Sequence, residues 1–234
     1  MKRPVVAIDG PAGAGKSTVT KRVAKELGYL LVDTGALYRA VALAALRAGV
    51  SWDDEAALGA FALRLVDERA VELATDSSGG VAVRLRGEDV SLEIREPSVS
   101  QGASKVSAVP AVREALLDMQ RAAGARGGVV LEGRDIGTVV FPSAEAKFFL
   151  TASVDVRARR RMDELISRGT AAEFEDVRRE VAERDLRDST RPIAPLKQAS
   201  DAISIDSSAL SIDQVVARIV ARVRAVEAEL NARP

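Results

Sequence analysis

The chain contains no cysteine and no histidine among its 234 residues. Without thiols there is no disulfide framework and no thiolate nucleophile, and without imidazoles there is no histidine-based triad or proton shuttle. The loss of both also removes the usual ligand set for zinc. Net charge is missing too: 34 basic and 34 acidic residues cancel, at a pI near 6.5. The broad positive field that binding to a nucleic-acid polymer requires is therefore absent. No long hydrophobic run exists. The longest uninterrupted apolar stretch, Ala40 to Leu46, is far too short to span a bilayer, and the N-terminus enters a patterned strand rather than a signal h-region. A soluble cytoplasmic chain with no membrane partner is expected. What is present, 47% apolar and 29% charged residues, is the composition of a globular protein. A chain of this length buries roughly 70 to 75 per cent of its unfolded surface, enough for a compact core without staples.

Val5-Val6-Ala7-Ile8 reads as a buried parallel strand that ends in a turn at Asp9-Gly10. Val19, Val23 and Leu27 then recur every four residues and Gly28 stops the pattern, as a helix requires. Leu30-Leu31-Val32, followed by Leu37, Val41, Ala44 and Ala45 and stopped by Gly49, repeats this strand-to-helix unit. Ser51 with Asp54 has the form of a capping box and predicts a helix from Trp52 to about Asp67. The period changes between Val71 and Ile94. Alternation of Val81, Val83 and Leu85, and of Val90, Leu92 and Ile94, around a turn at 76–80 predicts a small antiparallel insert. Pro110 opens a helix through Val112, Leu116 and Met119, closed by glycines 124, 127 and 128 before a strand at Val129-Val130-Leu131. A further strand is Phe148-Phe149-Leu150. Ser153 caps a helix through Arg157 and Met162, Gly169 interrupts it, and a second charged helix runs from about Glu173 to Asp188. The last unit is a strand from Ala202 to Ile205, a capping box at Ser211 and Gln214, and a terminal helix from Val215 to Leu230. Alternating βα units of this kind predict an α/β fold, a doubly wound parallel sheet with helices on both faces.

Gly10-Pro11-Ala12-Gly13-Ala14-Gly15-Lys16-Ser17 fits G-x-x-x-x-G-K-[ST] at every position and lies between a predicted strand and a predicted helix. Glycines let backbone N–H groups turn in around a phosphate, and the helix N-terminus adds its partial positive charge. Lys16 can reach the β- and γ-phosphates and Ser17 can ligate Mg²⁺. Thr18 follows in the first helical turn. A phosphate cradle is shared by kinases, GTPases and mechanical ATPases. The guanine-reading Asn-Lys-x-Asp of a GTPase cannot be built here, because the only asparagine is Asn231. A kinase must hold a second, acceptor substrate, and two charged clusters at predicted strand ends qualify: Asp33-Thr34-Gly35-Ala36-Leu37-Tyr38-Arg39 and Glu132-Gly133-Arg134-Asp135-Ile136-Gly137.

These two segments and the P-loop resemble those of the bacterial cytidylate kinases, in the nucleoside monophosphate kinase group. The resemblance covers nearly the whole chain, including Gly87-Glu88-Asp89-Val90, the run from Gly133 to Pro142, and the tail from Glu183-Arg184-Asp185 to Arg191. It implies a single P-loop kinase domain over 1–234, with a core at about 1–50, 105–156 and 189–234. The acceptor-binding region with its β insert would occupy about 51–104, and a helical lid about 157–188. ATP with Mg²⁺ would be the donor and CMP or dCMP the acceptor, with ATP on residues 10–18 and Ser17 on the metal.

By the same resemblance Arg39 and Arg134 grip the phosphate of CMP, a task suited to the planar, bidentate guanidinium. Asp135 reads cytosine by accepting from the exocyclic amino group that uracil lacks, and Ser104 and Arg113 share the base. Arg184 and Asp188 lie near the ribose hydroxyls, Arg191 lies close to the acceptor nucleotide, and Thr34 and Tyr38 line its pocket. Thr34 stands where the family often has Ser, which keeps the hydroxyl. Lys16, Arg134, Arg157 and Arg161 are the candidate catalytic residues, with Arg160 a third lid arginine that could reach the transferring phosphoryl group. Plainer readings stand beside these: Asp135 as a helix cap, Arg184–Asp188 as an i,i+4 salt bridge, Thr34 as an N-cap, Tyr38 as core. Glu132 fits either a structural carboxylate or a residue that orients Mg²⁺ through water. Between Arg157 and Arg191 there are ten arginines against nine acids, which makes a nearly neutral helix pair rather than a nucleic-acid patch. A monomer acting on ATP and CMP or dCMP is the expectation. The alternatives are a P-loop kinase for UMP, AMP or shikimate, and an ATP-binding switch module with no acceptor.

Overall fold

A computed structural model describes residues 1–75 and 81–232. Its first elements are β1 (Val5–Asp9), α1 (Lys16–Leu27), β2 (Leu30–Asp33), α2 (Thr34–Arg47), α3 (Glu55–Asp67), β3 (Val71–Thr75), β4 (Val81–Leu85) and β5 (Glu88–Asp89). There follow α4 (Pro97–Val106), α5 (Pro110–Gly124), β6 (Val129–Gly133), β7 (Ala146–Thr151), α6 (Val154–Ser167), α7 (Phe174–Thr190), β8 (Ile203–Asp206) and α8 (Ile212–Ala232). A 3₁₀ turn lies at Glu93–Arg95 and a π-helical turn at Ile136–Val140. The chain divides into two compact units, Met1–Tyr29 with Gly127–Pro234 and Leu30–Arg126.

The first unit contributes four strands of a five-stranded parallel sheet, in the order β6-β1-β7-β8. Val6, Ala7 and Ile8 are wholly buried, as a continuous apolar run in a parallel sheet covered on both faces requires. Helices α1 and α8 pack against each other and against the sheet. β1 lies between β6 and β7, so Asp9 is in register with Gly133 on one side and Phe149 on the other. The carboxyl ends of these strands therefore open together, where parallel α/β sheets bind their ligands. Helices α6 and α7 form a hairpin sealed by a short apolar seam of Ala158, Val177 and Val181, flanked by Met162, Leu165 and Phe174. Ser153 caps α6 by accepting from the Val156 N–H at 3.3 Å, and the Ser211–Gln214 box closes in both directions at the start of α8.

The second unit is built around one apolar cluster in which Leu58, Val99, Val106 and Leu116 are completely buried. Its antiparallel sheet runs β3-β4-β5, with Leu73 opposite Val83. The turn expected at 76–80 lies outside the described residues. Three expectations change here. Helix α3 starts at Glu55 rather than Trp52, because Asp54 is its cap and accepts from the Ala57 N–H, while Ser51 only holds the preceding turn. The strand expected through Val90, Leu92 and Ile94 is reduced to Glu88–Asp89. Val90 and Ile94 are buried through a 3₁₀ turn, and Leu92 is left 88% exposed. Helix α4 was absent from the expected elements, although Pro97 at its first turn and buried Val99, Ala103 and Val106 at helical spacing mark it.

Candidate active site

The chain leaves β1 at Gly10, whose φ of +151° and position against β7 admit no side chain; a Cβ there would lie 1.9 Å from the Leu150 carbonyl oxygen. The loop then runs through Pro11, Ala12, Gly13 and Ala14 to Gly15, the left-handed N-cap of α1. At Gly13 a Cβ would meet Arg157 of α6 at 3.0 Å, so the lid-side helix rests against the loop. Lys16 is the first residue of α1 and is buried, its Nζ donating to the Gly10 and Pro11 carbonyls at 2.7 and 2.8 Å. Ser17 and Thr18 are exposed in the first helical turn. The Ser17 hydroxyl donates to Glu132 Oε1 at 2.9 Å and that of Thr20 donates to Oε2 at 3.1 Å, which fixes the carboxylate beneath the loop. Burial and then the nearby guanidinium of Arg134 push the Lys16 ammonium well below its ordinary value, against the smaller pull of Glu132 and Asp9.

Arg134 and Asp135 follow β6 directly. The Arg134 Nε donates to Asp188 Oδ2 of α7 at 2.9 Å, and buried Asp135 accepts from Arg191 at 3.4 Å. Arg191 is itself held by donation of its Nε to the Ala194 carbonyl at 2.6 Å. Burial alone would raise Asp188, but the guanidiniums of Arg134, Arg184 and Arg191 outweigh it and hold the carboxyl below its usual 3.8. The hydrogen-bonding partner of Asp188 is thus Arg134 from another element, with Arg184 adding its charge from the preceding turn. Asp9 lies at the end of β1 beside this network. Its Oδ1 and Oδ2 accept from the Ile136 and Gly137 N–H groups, each at 2.8 Å, and burial pushes its carboxyl up to about 6 despite those two bonds. In the sequence Asp9 reads only as part of a turn; the available signal is a carboxylate that closes an otherwise apolar buried strand.

The three candidate arginines of α6, Arg157, Arg160 and Arg161, differ. Arg157 is buried, donates to the Ala152 and Ala12 carbonyls at 2.9 and 3.2 Å, and pairs with both oxygens of Asp185 at 2.9 and 2.5 Å. Arg160 donates to the Ser207 hydroxyl and carbonyl at 3.1 and 2.8 Å, and Ser207 in turn donates to the Ala14 carbonyl at 3.1 Å. Arg161 pairs with Glu164 on the helix surface. The structure therefore gathers Arg157 and Arg160 at the loop and leaves Arg161 outside it. Asp185 and Ser207, which the sequence does not single out, hold these two arginines in place. A hydroxyl directly after a sheet strand was the only trace of Ser207.

In the second unit, Thr34 opens α2 and is buried, behind the formal N-cap Asp33. Arg39, one turn on, donates to Asp33 Oδ2 at 2.5 Å, and Gly35 leaves room for that pair. Tyr38 is buried beneath the Arg113 guanidinium, 5.3 Å from its ring centre, and its hydroxyl accepts from Gln120 at 3.2 Å. Arg113 also donates to the Ser107 carbonyl at 3.1 Å. The hydroxyl of Ser104, in α4, is buried with no hydrogen-bond partner among the described residues. A buried hydroxyl left unmatched costs free energy until a ligand supplies the partner.

Among the described residues no helix is long and apolar enough to cross a membrane, and no group of three or more acidic side chains is arranged to hold a metal ion. The family model described as cytidylate kinase matches residues 6–225. A cytidylate kinase of Pelotomaculum thermopropionicum is 54% identical over 222 residues, covering 95% of this chain and 96% of the relative. One from Vibrio vulnificus is 47% identical, covering 97% and 98%. Among solved structures, an uncharacterized protein from Eubacterium ventriosum superimposes with a TM-score of 0.51 at 13% identity, covering 96% of this chain and 99% of that one, a likeness of fold alone.

Proposed function

This chain belongs to the cytidylate kinase family, and from that premise we propose that it transfers the γ-phosphoryl group of ATP directly to the phosphate of CMP or dCMP, giving CDP or dCDP. The observation that carries the reading is the cation cluster of the first unit. Lys16 is buried at the loop with its Nζ on the Gly10 and Pro11 carbonyls, where burial and the guanidiniums of Arg134 and Arg184 disfavour its charged form, a cost that a bound polyphosphate offsets.

An oxygen of the CMP phosphate attacks the γ-phosphorus as the bond to the β–γ bridging oxygen breaks, and ADP leaves. That acceptor oxygen is already ionised at neutral pH, so no general base is needed and the absence of histidine costs nothing. Catalysis reduces to in-line positioning and neutralisation of charge. Residues 10–18 cradle the phosphates of ATP, Lys16 bridges them, and Arg134, Arg157 and Arg160 neutralise the transferring group, whereas Arg161, a candidate from the sequence, is paired with Glu164 away from the loop. The Ser17 hydroxyl backed by the Glu132 carboxylate is a hard oxygen set that would hold Mg²⁺, which would supply further neutralisation of phosphate charge. Asp135 accepts from the cytosine amino group, Arg134 takes the acceptor phosphate, and Arg184, Asp188 and Arg191 hold the sugar side. In the second unit Thr34, Tyr38, Arg39, Ser104 and Arg113 serve the acceptor, the unmatched Ser104 hydroxyl supporting that assignment. We assign acceptor binding to the second unit as the structure bounds it, Leu30–Arg126, rather than to the 51–104 expected from the sequence, because Thr34, Tyr38, Arg39 and Arg113 lie outside the narrower range, and the α6–α7 hairpin to a lid that closes to exclude water. The setting proposed is pyrimidine metabolism in the cytoplasm, with the protein a monomer.

The test is ADP release from MgATP with CMP, dCMP, UMP, AMP and shikimate offered separately, against a blank without acceptor. Strong turnover with CMP and dCMP alone is expected; turnover with another acceptor overturns the base-pocket reading, and none with any acceptor overturns the transfer.

A further inference from the structure

Asp9 lies in none of the roles above, yet its surroundings are unusual for a carboxylate. It is buried, it immediately precedes the first glycine of the phosphate loop, and both of its oxygens are taken by consecutive backbone donors of a segment 127 residues away. Those donors, the Ile136 and Gly137 N–H groups, open the π-helical turn that directly follows Arg134-Asp135. The first N–H groups of any helical turn have no partner within it, and when buried they need one from elsewhere. The ordinary solution is a side chain at the N-cap. Here the N-cap is Asp135, which makes no capping bond and accepts from Arg191 instead. Asp9 performs the capping from the neighbouring strand, so the residue that would cap the turn is turned to another use. The turn is closed from within by donation of the Val139 and Val140 N–H groups to the Asp135 carbonyl at 2.9 and 3.2 Å. The backbone of Asp135 is thus gripped on its C-terminal side by the turn that Asp9 anchors.

We propose that Asp9 is a positioning residue for the acceptor: by clasping the Ile136 and Gly137 N–H groups it fixes the backbone that presents Arg134 and Asp135, and so ties acceptor recognition to the strand that carries the phosphate loop. This rests on the reading that Arg134 and Asp135 face CMP. Two acceptor oxygens are required. Asparagine, nearly isosteric, offers one oxygen and sets an NH₂ donor against the other backbone N–H, which leaves a buried donor unmatched.

The experiment compares Asp9→Asn with the unaltered protein, measuring the affinities for CMP and for a non-hydrolysable ATP analogue separately, together with KM for CMP, the CMP/UMP ratio and Tm. The expected result is a loss of about tenfold in CMP affinity and in kcat/KM for CMP. The CMP/UMP ratio should fall with it, and the affinity for the ATP analogue should stay within about twofold. Unchanged CMP affinity, or equal losses of both ligands, overturns the inference. Should Asp9→Asn fail to fold, Asp9→Ser removes the same clasp, because it keeps a single short oxygen where two consecutive N–H groups need acceptors. The same selective loss is expected there, and intact CMP affinity overturns the inference equally. Arg134→Lys separates the two levels. If it leaves CMP affinity intact, the acceptor reading itself fails; if it weakens CMP binding while Asp9→Asn and Asp9→Ser do not, only the positioning role fails.

Discussion

Among the described residues the second unit buries Thr34, Ser104, Arg113 and Gln120, one ionisable group with three neutral ones, beneath a large apolar cluster. In the first unit Asp9, Lys16, Glu132, Asp135, Lys147, Arg157, Asp188 and Arg191 are all buried and all ionisable. Burying a charge costs several kcal/mol unless it is paired and hydrogen-bonded. The first unit meets that cost with reciprocal pairs, Arg134–Asp188, Arg157–Asp185 and Arg191–Asp135. Such pairs add little net stability compared with apolar packing. Their concentration at the carboxyl ends of β1 and β6 is therefore better explained by the polyanions handled there than by folding, whereas the second unit has the makeup of a region whose stability comes from its core.

The largest separation of the two should come from Lys16→Met. It is expected to lower turnover by at least about a thousandfold, by analogy with loss of a preorganised charge-stabilising donor. Its Tm should be unchanged or raised, because a buried cation is removed. Next is Leu58→Ala in the apolar cluster, expected to cost about 2–5 kcal/mol in urea unfolding while kcat per folded molecule is retained. A large kcat loss there would erase the contrast. Asp135→Ala is expected to reduce discrimination between CMP and UMP by about 1–3 kcal/mol; an unchanged ratio of kcat/KM values would remove it from base reading. The smallest effect is a titration. Asp188 is held below 3.8 by its arginines, so its stabilising contribution is present above that pH and disappears only as pH falls through the lowered value. Asp9, raised to about 6 by burial, has the opposite sign: protonation between about 6 and 3.8 favours the folded state. Carboxyl NMR should find the two on opposite sides of the ordinary value.

Much of this is legible in the sequence. The phosphate loop needed only its spacing and its strand-to-helix setting, because the chemistry of a phosphate cradle is local: glycines, a helix N-terminus and a lysine adjacent in sequence. The Ser153 cap and the Ser211–Gln214 capping box were readable for the same reason. The box suggested at Ser51 failed because Asp54, its fourth residue, caps a helix of its own. Leu92 misled the strand assignment, since alternation over a few residues does not distinguish a strand from a 3₁₀ turn that buries Val90 and Ile94.

The family and the phosphate loop were thus legible in the sequence itself, the loop because it depends on residue identity at short spacing, while the candidate acceptor residues came only with the family resemblance. Only the tertiary structure decided which charges meet. Arg184 and Asp188 suggest a pair by their separation of four, yet Asp188 hydrogen-bonds to Arg134, 54 residues away. Three arginines of one helix divide between the loop and its own surface, and Asp9 caps a turn more than a hundred residues distant. Such pairings follow from which strand ends lie side by side in the sheet, and no local pattern of residues contains that information.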